Sequence, residues 1–150
     1  MWAQLRRFSA LPRPAKVLFL RAAVLLPLLT LLLHVRGFRY TQRLLQRWLP
    51  AGLNAVIVPG DPRMALTSRM VLAAARRSLV PSTCLERSLA LWWLLARQGI
   101  AAQLRIGVRK DGEKFAAHAW VEHEGLAVGE PEDTHIHYAA FAEEMLGDIS

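Results

Sequence analysis

The 150-residue sequence predicts an α+β protein: a helical N-terminal half, followed by a nucleophile-bearing helix packed on an antiparallel sheet. Three observations lead there. Up to Gly99 the apolar residues recur at helical spacing, between recognisable starts and stops. From Ala102 the period changes to two, and Asp111-Gly112 supplies a hairpin turn. Between these halves, Thr83-x-x-Glu86 forms a capping box just ahead of an apolar run, and the residue after Thr83 is the only cysteine in the chain.

Each element can be justified in order. Leu11-Pro12-Arg13-Pro14 is a proline-rich break before a helix that starts near Ala15. Ala22 to Leu33 is an unbroken apolar run. Extending it from Val17 to Val35 reaches a spanning length only by including Arg21, Pro27 and His34, so it suits a buried or interfacial helix better than a bilayer crossing. Val35-Arg36-Gly37 follows in place of the small-x-small pattern of a secretory cleavage site. Gly37 is a C-terminal stop. Phe38 to Leu49 then reads as a second amphipathic helix with Arg39, Arg43 and Arg47 among its apolar residues. Asn54 to Pro59 is a short apolar stretch of either type. Asp61-Pro62 pairs an N-cap with proline at the first helical position and opens a helix to about Leu79. Val80-Pro81 breaks it, and the Cys84 helix runs to about Gln98, with Gly99 at its end.

Strand residues follow. Leu104, Ile106 and Val108 alternate with Gln103, Arg105 and Gly107. The return strand, Lys114 to Glu122, puts Ala116, His118, Trp120 and Glu122 on one face and Phe115, Ala117, Ala119 and Val121 on the other. His123-Glu124-Gly125 is a second turn, Leu126 to Glu130 a third strand, and Tyr138 to Leu146 a closing helix.

Composition excludes several classes. One cysteine allows neither an internal disulfide nor a CxxC pair, which fits a reducing compartment, the cytoplasm. The net charge of +7 is unevenly spread: residues 1–60 hold nine Lys/Arg and no acid, whereas residues 61–150 hold ten basic and twelve acidic residues. The first sixty residues therefore form a basic, Leu-rich helical arm able to meet an acidic partner or an anionic membrane surface, such as the inner face of the cell membrane. No helix-turn-helix, RNP or finger pattern accompanies it, so nucleic acid is not expected.

The chemistry concentrates on Cys84. As the first helical residue it meets unpaired backbone N–H groups and the positive end of the helix dipole, both of which favour a thiolate over a thiol. A cysteine nucleophile needs a base and a group to orient that base. His118, mid-strand, is the candidate base. Glu130, twelve residues on and on the neighbouring strand of a meander, is the candidate acid. Cysteine on a helix start, then histidine and acid on strands, is the order found in papain-like and transglutaminase-like folds. The plain alternative is a lone cysteine acting as a small buried hydrophobe.

Four blocks carry a closer resemblance: Thr83-Cys84-Leu85-Glu86-Arg87-Ser88-Leu89-Ala90-Leu91, Arg97-Gln98-Gly99-Ile100, Leu104-Arg105-Ile106-Gly107-Val108-Arg109, and Phe115-Ala116-Ala117-His118-Ala119-Trp120-Val121-Glu122. Together they resemble the transglutaminase-like leader peptidases of lasso-peptide biosynthesis, most strongly over residues 60–140. The resemblance implies a cysteine peptidase core over residues 61–150 behind the arm of residues 1–60, a triad of Cys84, His118 and an acid at the position of Glu130, and no cofactor or metal. That acid is commonly Asp in the family, so Glu132 and Asp133 stand as alternates. The implied activity removes the leader from a ribosomally made precursor and frees an α-amine for a separate ATP-dependent macrolactam cyclase. Residues 1–60 are too short and too Leu-rich for the strand-rich module that holds the leader in fused relatives, so a separate leader-binding protein is the expected partner.

Three other readings stand beside this one. The same triad in an acyl transferase would pass the thioester to an amine rather than to water. A non-catalytic, membrane-associated adaptor would use the arm alone and leave Cys84 structural. A metal site among His118, His123, His135 and His137 is disfavoured, because no thiolate partner or helical histidine pair supports it.

Overall fold

The computed structural model describes residues 10–51, 58–130 and 138–140. Among the described residues, three helices precede a small sheet: α1 (Arg13–Arg47), α2 (Pro62–Arg77) and α3 (Cys84–Arg97), then β1 (Gln103–Asp111), β2 (Lys114–His123), β3 (Leu126–Ala127) and β4 (Ala139–Ala140). The order across the sheet is β3-β2-β1-β4, every pair antiparallel. This is the expected α+β arrangement of a helical N-terminal half and a helix on an antiparallel sheet.

The long α1 is two helical segments joined at Gly37, whose φ of 79° breaks the helical path where the sequence places a stop. Beyond the break Thr41 Oγ1 donates back to the Gly37 carbonyl at 2.8 Å. Pro27, inside the first segment, removes one backbone donor. The inner face of α1, with Ala22, Leu25, Leu26 and Leu29, joins Val71 and Ala74 of α2 and Leu89, Leu94 and Leu95 of α3 in one core. The Trp93 indole N–H donates to the Leu45 carbonyl at 3.0 Å and holds the second segment of α1 onto α3. On the outer face, Val17, Leu20, Val24, Leu31 and Val35 are 46–70% exposed.

Asp61 caps α2 as its position before Pro62 implies, accepting from the Arg63 amide at 2.9 Å. The Arg63 guanidinium also grips both carboxylate oxygens. These bonds hold the Asp61 carboxyl below the usual carboxylate range, the side-chain bond from Arg63 contributing most. Arg63 reaches on to the Gln98 carbonyl, and the Gln98 amide donates to Thr67, so the start of α2 is tied to the end of α3. The helix ends at Arg77, two residues before the expected Leu79.

The sheet differs from the expected meander in two places. β3 stops at Ala127, although the Val128 amide still donates to the Val121 carbonyl at 2.8 Å. Beyond it Gly129, at φ 74°, turns the chain out of the extended path. The expected closing helix over Tyr138 to Leu146 is corrected at its start: Tyr138 lies in a bend, and Ala139–Ala140 is a strand on β1, opposite Val108 and Gly107. Pairing with an open strand edge outweighs the helical propensity of the two alanines. Residues 141–146 lie outside the described residues, as do Asn54 to Ile57.

Candidate active site

Cys84 is the first residue of α3, and both halves of the capping box are made. The Thr83 amide donates to Glu86 Oε2 at 2.5 Å, and the Glu86 amide donates to Thr83 Oγ1 at 3.4 Å. Two of the orphan donors at this helix end are thereby satisfied. The half-buried Cys84 opens onto a cavity of about 150 Å³, lined also by Ser68 and Leu72 of α2, Arg87 and Ser88 of α3, and Gly129 and Glu130 after β3.

Glu130 and His118 meet. The imidazole Nε2 lies 2.7 Å from Glu130 Oε2, with the two side chains 21% and 29% exposed. A ring that gives its Nε2 hydrogen to the carboxylate keeps Nδ1 as the nitrogen able to take a proton. His118 lies outside the lining of the Cys84 cavity, and its ring bonds to Glu130 rather than to the sulfur. In unliganded sites such contacts are commonly long and tighten when substrate is bound.

Ser88 links the two sides. It sits one helical turn after Cys84, is buried, and its hydroxyl donates at 2.8 Å to the carbonyl of Ala119, the neighbour of His118. A helical serine ordinarily bonds its own preceding turn or water. Here it ties the nucleophile's helix to the strand of the base. Helical spacing put Ser88 on the face of Cys84; the strand carbonyl it reaches is a tertiary fact that no local pattern carries.

A second support lies on the same face of β2 as His118. The Trp120 ring stacks on the imidazole with centroids 6.0 Å apart and 14° between planes, and Tyr138 packs against both. Glu122 fixes Trp120 by accepting from its indole N–H at 2.8 Å, and Arg105 pairs with Glu122 at 3.1 Å. Gly107, opposite His118 in the register, makes this possible: a Cβ there would stand 2.9 Å from the Trp120 ring and from the Ala139 carbonyl. Arg109 lies over the Tyr138 ring at 5.1 Å.

Among the described residues, His118 and His123 do not converge on a common site. His118 and His123 are five positions apart on β2, so they face opposite sides of the sheet about 17 Å apart along the strand. His123 bonds the Ala101 carbonyl through Nδ1. His135 and His137, and the alternate acids Glu132 and Asp133, lie outside the described residues.

Comparison with protein families matches residues 24–143 to the transglutaminase-like superfamily. The match takes in most of α1, all of α2 and α3, and the sheet. The match covers well over half of the sequence, and the chain belongs to the transglutaminase-like superfamily. Neither the curated proteins nor the solved structures compared with the chain give a match.

Proposed function

We propose that the protein is a cysteine peptidase that removes the leader from a ribosomally synthesised lasso-peptide precursor before macrolactam formation. The observation that carries the reading is the 2.7 Å bond between His118 and Glu130, with Glu130 and Cys84 lining one cavity. The superfamily, which includes cysteine peptidases and acyl transferases, supports the reaction type, and the four sequence blocks support the substrate.

In this mechanism His118 Nδ1 takes the Cys84 proton, and the sulfur attacks the carbonyl carbon of the scissile peptide bond. The charge that develops on the carbonyl oxygen is met by the Cys84 backbone N–H, one of the unpaired donors of the helix start. As the C–N bond breaks, His118 returns the proton to the leaving amine, which departs as the free α-amine of the core peptide. A water, deprotonated by the same nitrogen, then cleaves the thioester and restores the thiol. Glu130 holds the ring in the tautomer that leaves Nδ1 free. Incubation with the precursor encoded beside this chain, with and without the leader-binding protein, tests the proposal by mass. Cleavage that vanishes in Cys84→Ala is expected. An amine adduct in place of the free acid would make the enzyme an acyl transferase.

The partners in this reading are the precursor's leader, a separate leader-binding protein and the ATP-dependent cyclase that takes the freed amine. The exposed apolar stripe of α1, in an arm with nine basic residues and no acid, supports docking on an anionic membrane surface at the cytoplasmic face. Flotation with anionic vesicles should succeed at low salt and weaken at physiological salt. Retention that withstands carbonate would instead make Val17 to Val35 a bilayer span.

A further inference from the structure

The Cys84 cavity has a neighbour on its α2 side. Ser68, Leu72, Val128 and Gly129 line it and also line a second, larger hollow of about 570 Å³ between α2 and the strand β3. The two spaces adjoin, with Ser68 and Gly129 meeting between them. Gly129 stands at their junction, where a Cβ would fall 1.8 Å from Ser68 Oγ, so only a glycine lets the chain pass this close to α2. Beyond the shared residues the hollow is walled by Met64 and Ala65 on α2 and by Leu126 and Ala127 on the strand side, with Asp61, Arg69, His123 and Glu124 also in its lining.

β3 is an edge strand with nothing paired on its outer side among the described residues. Its register decides which of its groups face outward. The Val128 amide bonds Val121, so Val121 and Val128 are a hydrogen-bonded pair, and the adjacent pair, Glu122 and Ala127, is not. The N–H and C=O of Ala127 therefore point to the open edge, beside a hollow whose walls are mainly aliphatic. An unpaired donor and acceptor next to an apolar recess are what an extended peptide uses when it adds itself to a sheet edge and drops alternate side chains into pockets.

We infer that the groove between α2 and the open edge of β3 seats the substrate chain. It binds an extended peptide segment by main-chain bonds at Ala127 and takes one apolar side chain of that segment, within a few residues of the scissile bond, against Met64, Ala65 and Leu126. The inference rests on the peptidase reading, because the groove adjoins the Cys84 cavity across Ser68 and Gly129. It adds where specificity is set: an aliphatic or aromatic side chain is taken against the apolar wall of the hollow.

The test uses the full chain. Ala65 and Leu126 are exposed, Leu126 by 57%, so Ala65→Arg and Leu126→Glu fill or charge the groove without entering the core. Leu79→Glu, at a fully exposed apolar residue outside the groove, is the control. Two quantities are read: cleavage of the precursor peptide, and binding of the same labelled peptide to Cys84→Ser protein carrying each groove change. The expected result is a rise of tenfold or more in both KM and Kd for the two groove variants, kcat within about twofold of the parent, and the control unchanged. Unchanged KM and Kd in Ala65→Arg and Leu126→Glu would overturn the inference, as would an equal loss in Leu79→Glu. A parent protein that binds the peptide but never cleaves it refutes the peptidase reading instead, while the binding measurements still decide the groove.

Discussion

The helices α1 and α3 bury the same number of residues, eight each, but α1 spends 35 residues to do so and α3 only 14. What they bury also differs. The interior face of α1 is almost wholly aliphatic, Thr41 being its one polar member, whereas α3 takes Glu86 and Ser88 inside along with Leu89, Leu94 and Leu95. Burying a carboxylate and a hydroxyl costs free energy unless each finds a partner. Both do, and the partners are the Thr83 amide at the helix start and the Ala119 carbonyl beside His118. In α3, then, buried polarity aims a sulfur, while the unburied surface of α1 remains apolar and basic. One helix is built around a position and the other around a face.

The comparison is broken most severely at the position. Cys84→Ala and His118→Ala should each lower peptide cleavage by about a thousandfold or more, to whatever background the binding groups alone support, with circular dichroism and thermal midpoint little changed. Glu130→Gln keeps an acceptor for the ring, so a partial loss is expected, about ten- to a hundredfold in kcat. Full activity in Glu130→Ala would pass the orienting role to Glu132 or Asp133.

The next effect concerns stability and contrasts the two helices directly. Leu94 is 1% exposed on α3, and truncating it to alanine should cost about 2–5 kcal/mol in denaturant unfolding. Val24, 70% exposed on α1, should change stability by no more than about 0.5 kcal/mol when made serine. A Val24→Ser protein that keeps its stability and activity but no longer floats with anionic vesicles would separate the outer face of α1 from the core. A large loss of stability there would show instead that this face is packed.

Much of this was legible because it is local chemistry. The capping box at Thr83 and Glu86, the Asp61-Pro62 start and the stop at Gly37 each act within a few residues and stand where the sequence places them, whereas the hairpin turns one residue later than Asp111-Gly112 implies, at Gly112-Glu113, because Asp111 pairs with Lys114. His118 and Glu130 could be paired from a distance because a tight turn at Glu124-Gly125 folds the following chain back along β2. What was illegible depends on partners far along the chain. Tyr138 to Ala140 read as helix until the open edge of β1 claimed it, and Leu126 to Glu130 read as one strand until the approach to Ser68 demanded a turn at Gly129. The support of His118 by Trp120 is of the same kind, since it requires knowing that Gly107 lies opposite the ring.

That support gives a smaller effect, and one that sharpens what a position requires. Gly107→Ala places a methyl group against the Trp120 ring and the Ala139 carbonyl, and should cost about 1–3 kcal/mol as the indole is displaced. Because Trp120 stacks on His118, kcat should fall while KM holds. Ser88→Ala removes the hydroxyl bonded to the Ala119 carbonyl, with a stability cost in the same range of about 1–3 kcal/mol for a buried acceptor left bare. Stability lost in either variant with kcat intact would make the contact structural only.

The smallest effect expected lies at the opposite end of α2 from the chemistry. Asp61 accepts from the Arg63 amide and guanidinium, which lowers its carboxyl pKa in the folded chain relative to the unfolded one. A group shifted down stabilises the fold at pH values above its unfolded pKa, and that contribution disappears as pH falls through the folded value. Asp61→Asn keeps an oxygen for the Arg63 amide but not the charge. The stability difference between wild type and Asp61→Asn should therefore be constant from neutral pH down to about pH 5, shrink below about pH 4, and vanish in stronger acid. Because Arg63 also binds the Gln98 carbonyl at the end of α3, hydrogen exchange at the first turn of α2 and at Gln98-Gly99 should rise together in the variant at neutral pH. Exchange that rises in α2 alone would mean that the cap holds its own helix and leaves the position of α3, and with it Cys84, untouched.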